Sequence, residues 1–61
     1  MDLREYIFKK NLTQKAFADS IDYNPIYFRE IYHKRKKPGK KLIRNIVRVT
    51  NGEVTEQDLK W

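Results

Sequence analysis

The side chains with chemistry to offer are mostly cations, and they are clustered. Residues 29–48 hold nine lysines and arginines against a single acid, Glu30, a net charge of +8. Residues 1–28 balance four basic against four acidic side chains, and residues 49–61 carry one basic and three acidic, net −2. Together these make the +6 of the 61-residue chain. Like charge confined to so short a stretch repels itself, and a counter-charge relieves that cost. The segment therefore reads as a surface for a polyanion. The bland alternative is that Lys34-Arg35-Lys36-Lys37 is a solvated loop with no partner.

Little else on the chain can do chemistry. The absence of cysteine excludes a disulfide framework, a thiolate nucleophile and a zinc ribbon. His33 is the only histidine and cannot build a metal site alone. As a general base it would need a nucleophile beside it in a cleft, and no carboxylate pair has a foreseeable shared pocket. An enzyme is not expected, nor is a cofactor, a metal or a small-molecule ligand. No apolar run approaches a membrane span, and Met1-Asp2-Leu3-Arg4-Glu5 lacks the apolar stretch of a signal peptide, so the expected compartment is the cytoplasm. The length suits one small domain with no room for an effector domain, and its core must be dense. Two glycines and two prolines argue against disorder and against a turn-rich β fold.

The elements that position the cations are legible from helix punctuation. Asp2 with Glu5 reads as a capping box for a first helix, about 3–10, with Leu3, Tyr6 and Ile7 inward and Lys9 and Lys10 at its negative end. Asn11-Leu12 is a short connection with Leu12 plugging the core. Thr13 caps a second helix, about 14–20, that turns Phe17, Ala18 and Ile21 inward. Asp22-Tyr23-Asn24 is a turn. Asn24-Pro25 is a cap followed by proline at the first helical position, opening a third helix, about 25–33. That helix buries Phe28 and Ile31 and leaves Ile26, Arg29, Glu30 and His33 outward. Pro38-Gly39 breaks the chain before a fourth helix, about 39–50, which Asn51-Gly52 ends in a left-handed cap. Thr55 caps a last turn, about 56–59, with Leu59 folded back. Two short helices joined by a three-residue turn form the helix-turn-helix geometry, and two other readings of the same pattern are a plain three-helix bundle and an αα-hairpin used only for packing.

The residues from Gln14 to Ile31 carry more than spacing. Leu12-Thr13-Gln14, the small Ala18 and the start Asn24-Pro25-Ile26-Tyr27-Phe28 resemble the helix-turn-helix of the phage Cro and repressor family, of XRE type. A basic loop ending at Pro38 and the tail Asn51-Gly52-Glu53-Val54-Thr55 with Asp58-Leu59 extend the resemblance over essentially the whole chain. It implies an all-α, lambda-repressor-like bundle of four to five short helices forming a single domain over residues 1–61. It also implies a sequence-specific repressor bound to a double-stranded DNA operator, in a bacterial nucleoid or a phage-infected bacterium. Asp22 stands where the family favours glycine, and Tyr23 where it favours an aliphatic residue. Ile7 and Tyr32 stand where many members pair arginine with glutamate, which implies an apolar contact instead.

The resemblance also assigns roles. Pro25, Ile26, Arg29 and Glu30, with His33 at the far end, face base edges in the major groove. Arg29 suits guanine O6 and N7, or a phosphate. Ile26 suits a thymine methyl, or is a plain exposed aliphatic. Glu30 accepts from cytosine N4, or pairs with Lys34 at i, i+4. Pro25 shapes the helix start. Gln14, Lys15, Asn24 and Tyr27 lie along the sugar-phosphate backbone, Tyr27 otherwise being a half-buried core edge. Lys34, Arg35, Lys36, Lys37 and Lys40 form a phosphate clamp. Leu42, Ile46 and Val49 suffice for the inner face of the fourth helix. Ile43 and Val47 are then left on a flank. With Trp61 they form a two-fold homodimer contact, or else the C-terminal tail covers them. Tail acids Glu53, Glu56 and Asp58 should point away from DNA.

Close variants of this reading are an antitoxin-type autorepressor and an architectural or excision-type DNA-binding protein. An RNA-binding or membrane-surface module is more distant. The caps divide the chain into short helices rather than one long amphipathic segment, and no aromatic sheet surface is visible.

Overall fold

A computed structural model describes all residues, 1–61. The chain is all-α and folds as four helices, α1 (Leu3–Lys9), α2 (Gln14–Ser20), α3 (Pro25–Tyr32) and α4 (Lys40–Val49), followed by a 3-10 turn at Gln57–Leu59. No helix is long and apolar enough to cross a membrane. The expected boundaries hold within a residue at each end of the α-helices.

Local chemistry sets each start. Thr13 Oγ1 accepts from Ala16 N at 2.9 Å, and Asn24 Oδ1 accepts from Ile26 N at 2.9 Å with Pro25 opening α3. Each bond satisfies a helix N–H that has no partner within its own helix. Asp2 caps α1 through Arg4 N at 2.8 Å. The reciprocal bond from Glu5 expected of a capping box does not form, and Glu5 is exposed.

All four helices end in one way. The residue after each C-cap is left-handed, with φ of 56° at Asn11, 55° at Asp22, 60° at Lys34 and 55° at Asn51. The amide of the following residue then reaches back five positions: Leu12 to Ile7 O, Tyr23 to Ala18 O, Arg35 to Glu30 O and Gly52 to Val47 O, at 2.8–3.0 Å. This is the Schellman arrangement, which usually employs glycine. Here asparagine, aspartate and lysine occupy that position at some backbone cost, and three of these reversals, at Asn11, Asp22 and Lys34, have no glycine beside them.

Twelve buried residues form the core: Leu3, Tyr6, Ile7, Phe17, Ala18, Ile21, Phe28, Ile31, Leu42, Ile46, Val54 and Leu59. Leu12 is not among them. It remains 38% exposed, because the turn at Asn11 ties its amide back to α1 and leaves its side chain at the surface. The tail contributes Val54 instead. Thr50 secures that tail, its buried hydroxyl donating to Ile46 O at 2.8 Å and accepting from Val54 N at 3.2 Å. Phe8 lies on the outer side of α1, 86% exposed.

α2 and α3 are the most closely packed helix pair. The Phe17 and Phe28 rings lie 5.4 Å apart, with Tyr6 edge-on to Phe17 at 6.1 Å and Tyr32 against Phe28 at 6.5 Å. The Tyr32 ring was expected to meet Ile7 in an apolar contact. Ile7 lies in the core that Tyr32 packs against, and the Arg4 guanidinium stands over the Tyr32 ring as well, 5.3 Å from its centroid. A cation from α1 one turn before Ile7 therefore still reaches α3, through a ring face rather than a carboxylate.

Replacing Asp22 by glycine removes the cost of a side chain in the left-handed region. Asp22→Gly is expected to stabilise the fold by about 1 kcal/mol. In a domain this small that raises the melting temperature by roughly 4–8 °C, which thermal unfolding followed by circular dichroism would read.

Candidate nucleic-acid interface

Burial of Phe28 and Ile31 fixes the rotation of α3 about its axis, and the opposite side is turned outward. Ile26 is 75% and Tyr27 60% exposed, which removes the core-edge reading of Tyr27. Arg29 and His33 are exposed on the same stripe as Ile26, at i, i+3 and i+7. His33 is the C-cap of α3 and meets Tyr32 edge-on at 5.2 Å. Pro25 is half-buried at the helix start.

Glu30 does not pair with Lys34. It accepts from Arg35 Nε at 3.0 Å. An i, i+4 pair needs continuous helix, and the chain leaves the helix before Lys34, whose positive φ swings its side chain aside. Lys34 instead reaches Asp2 Oδ2 at 3.1 Å and lies 5.6 Å from the centre of the Trp61 ring. Partial burial alone would raise the Asp2 carboxyl. The hydrogen bonds from Lys34 and from the Arg4 N–H outweigh it and hold that carboxyl below its ordinary value. Asp2 is therefore ionised at neutral pH and restrains one cation of the basic loop.

The remaining cations of the basic segment point into solvent. Arg29, Lys36, Lys37, Lys40, Lys41, Arg44 and Arg48 are exposed and engage no acid. Gln14 is half-buried at the start of α2, Lys15 pairs with Asp19 at 3.6 Å, and the Asn24 oxygen is occupied as a cap.

The tail acids are neutralised within the fold. Glu53 meets Lys10 at 3.5 Å, Glu56 meets Lys60 at 3.3 Å, and Asp58 meets the N-terminal ammonium at 2.7 Å. None engages a cation of residues 29–48. Trp61, however, runs back to the basic loop, its indole Nε1 donating to Lys36 O at 2.9 Å. It does not join the flank on α4. Ile43 and Val47 line an open groove whose far wall is the tail around Gly52, Thr55, Glu56 and Lys60. The tail borders that flank without covering it.

Comparison with protein-family models, curated proteins and solved structures returned no match to this chain. Two residues that shape the basic loop, Asp2 and Trp61, carry no local signal for that role. Each contacts the loop across 25 or more positions of sequence.

Asp58 gives the tail a pH dependence. The hydrogen bond from the N-terminal ammonium, then those from the Thr55 N–H and hydroxyl, lower its pKa from 3.8 to about 2. A carboxyl lowered on folding contributes stability that is complete above the unfolded value and is lost as pH falls through the folded one. Asp58→Asn should therefore unfold at lower denaturant than the parent at pH 7. The difference between the two should shrink below about pH 4 and vanish towards pH 2, as read from urea midpoints across that range.

Proposed function

We propose that the chain is a sequence-specific double-stranded DNA-binding regulator, a Cro-like repressor that reads an operator with α3 in the major groove. In this reading α2, its turn and α3 make a helix-turn-helix. The observation that carries it is one outward face of α3. It combines an apolar side chain, Ile26, with an unpaired guanidinium, Arg29, and runs into a loop of unpaired cations. A base edge in the major groove offers partners for both, a thymine methyl and the guanine O6 and N7 acceptors. Glu30, held by Arg35, keeps its carboxylate neutralised beside phosphates. Tyr27, Gln14, Lys36, Lys37 and Lys40 line the backbone on either side of the reading face. Such contacts set register rather than sequence.

The longest dimension of the molecule is 22 Å. Half-sites of a palindromic operator lie roughly 34–36 Å apart, so one copy covers one half-site and a homodimer, assembled on DNA, reads the whole.

Selection of bound duplexes from a random library tests the reading directly. An enriched half-site is expected, and Ile26→Ala with Arg29→Ala should relax the preference at two or three of its positions while the fold persists. Each lost contact should cost about 1–3 kcal/mol. No enriched sequence, or an unchanged preference in the double variant, would overturn it.

The salt dependence reports how many cations reach phosphate. Contacts from Lys36, Lys37 and Lys40 alone give a log–log slope of about −3, and recruitment of Lys34 and Arg35 brings it to about −5. Asp2→Asn keeps a good helix cap but no longer holds Lys34 by charge. It should tighten binding at low salt and steepen the slope by about 1.

A further inference from the structure

We propose that the second face of α4 is a docking groove for an acidic amphipathic helix of a partner protein. Two apolar sets run along this helix. Leu42 and Ile46 are buried in the core, with Ile43 and Val49 packed against it. Ile43 also borders a second face, where Val47 joins it among Lys40, Arg44 and Arg48 at positions i, i+3, i+4, i+7 and i+8. Across from that face stands the C-terminal tail, which brings Lys60 to the opposite wall. The space between is an open groove of about 730 Å³. Taken as a cylinder ~10 Å wide rising 1.5 Å per residue, an α-helix would fill such a volume with one to two turns, far more than an ion needs.

The charge on the groove selects among occupants. Lys40, Arg44 and Arg48 engage no acid, and the one acid on the walls, Glu56, is already paired with Lys60 at 3.3 Å. The same face of a second copy would bring the same unpaired cations and only the paired Glu56, so a two-fold contact here sets like charge against like. A DNA backbone would satisfy the cations but leave Ile43 and Val47 against phosphate and sugar. An acidic helix with an apolar stripe satisfies both, its Leu- or Phe-type anchors on Ile43 and Val47 and its carboxylates on the arginines. The groove lies apart from the base-reading face of α3 and shares only Lys40 with the proposed phosphate contacts, so the proposal stands or falls apart from the DNA reading.

The test is selection from a random peptide display library against the full chain, followed by fluorescence anisotropy of the enriched peptides. Enriched sequences should place apolar residues at i, i+3 or i+4 among aspartates and glutamates. Their affinity should fall about tenfold for Arg44→Glu with Arg48→Glu, a double variant on exposed positions that leaves the core untouched. Val47→Asp should abolish binding, with circular dichroism reporting that each variant is folded. Lys41→Glu, on the same helix but outside the groove, should change little. The proposal is overturned if no peptide is enriched, if enriched peptides lack acidic residues, or if Lys41→Glu weakens binding equally. Sedimentation showing a dimer that Arg44→Glu with Arg48→Glu dissociates would make a second copy the occupant instead. A loss of duplex binding in that double variant as large as that from Lys36→Glu with Lys37→Glu would assign the groove to DNA, and either result also overturns it.

Discussion

The contact between Phe17 and Phe28 is the constraint from which the rest of the molecule follows. The two rings lie 5.4 Å apart, both almost wholly buried, and Ala18 beside them is small enough for the helices to approach. An aromatic pair of this kind contributes about 0.5–1.5 kcal/mol beyond the area it buries. Its larger consequence is rotational. A helix has one orientation about its axis once two of its residues are committed to a core. With Phe28 and Ile31 inward, Ile26, Arg29 and His33 have only the outside left. Tyr6 and Tyr32 extend the contact in both directions, and the Arg4 guanidinium closes it over Tyr32. The outward face of α3 is thus set by what three helices bury together.

Charge is sorted by the same fold. Nine cations within residues 29–48 would repel one another in any compact arrangement. Two are restrained by acids from α1 and α3, Asp2 and Glu30, where the basic loop begins. The three acids of the tail are used elsewhere, on Lys10, Lys60 and the N-terminal ammonium. That division leaves the outer cations without competitors inside the chain. Each surface pair is worth little in stability, since such pairs contribute roughly 0–1 kcal/mol. Their effect is geometric, holding the start of the loop close to α3 while its remainder stays open.

Cohesion at the ends of the chain comes from backbone groups as much as from apolar area. Four helices leave their last carbonyls exposed, and each is closed by a left-handed residue and a return bond across five positions. Thr50 then carries the pattern onward, its hydroxyl serving both the end of α4 and the amide of Val54. That anchoring puts Val54 and Leu59 into the core and sets the tail beside α4 as the second wall of a groove. The tail's last residue returns to the basic loop through the Trp61 indole.

What the residues determined without folding was everything that acts within about one helical turn. Thr13, Asn24 and Pro25 mark their helix starts because a cap bonds an amide two or three positions away. The inward sets of α1 to α4 follow from periodicity, and the basic segment follows from counting. The left-handed turn at Asn51-Gly52 was visible because glycine and asparagine announce it, whereas Lys34 announces nothing and its reversal sent both Lys34 and Glu30 to unexpected partners. Only the tertiary structure decided which cations stay free, where Leu12 and Val54 sit, and that Trp61 belongs to the basic loop rather than to the flank of α4. The contacts that hold Lys34 and Trp61 join residues 32 and 25 positions apart. Such pairings exist only after the core has closed, because until then the entropy of so long a loop outweighs any single hydrogen bond or surface charge pair.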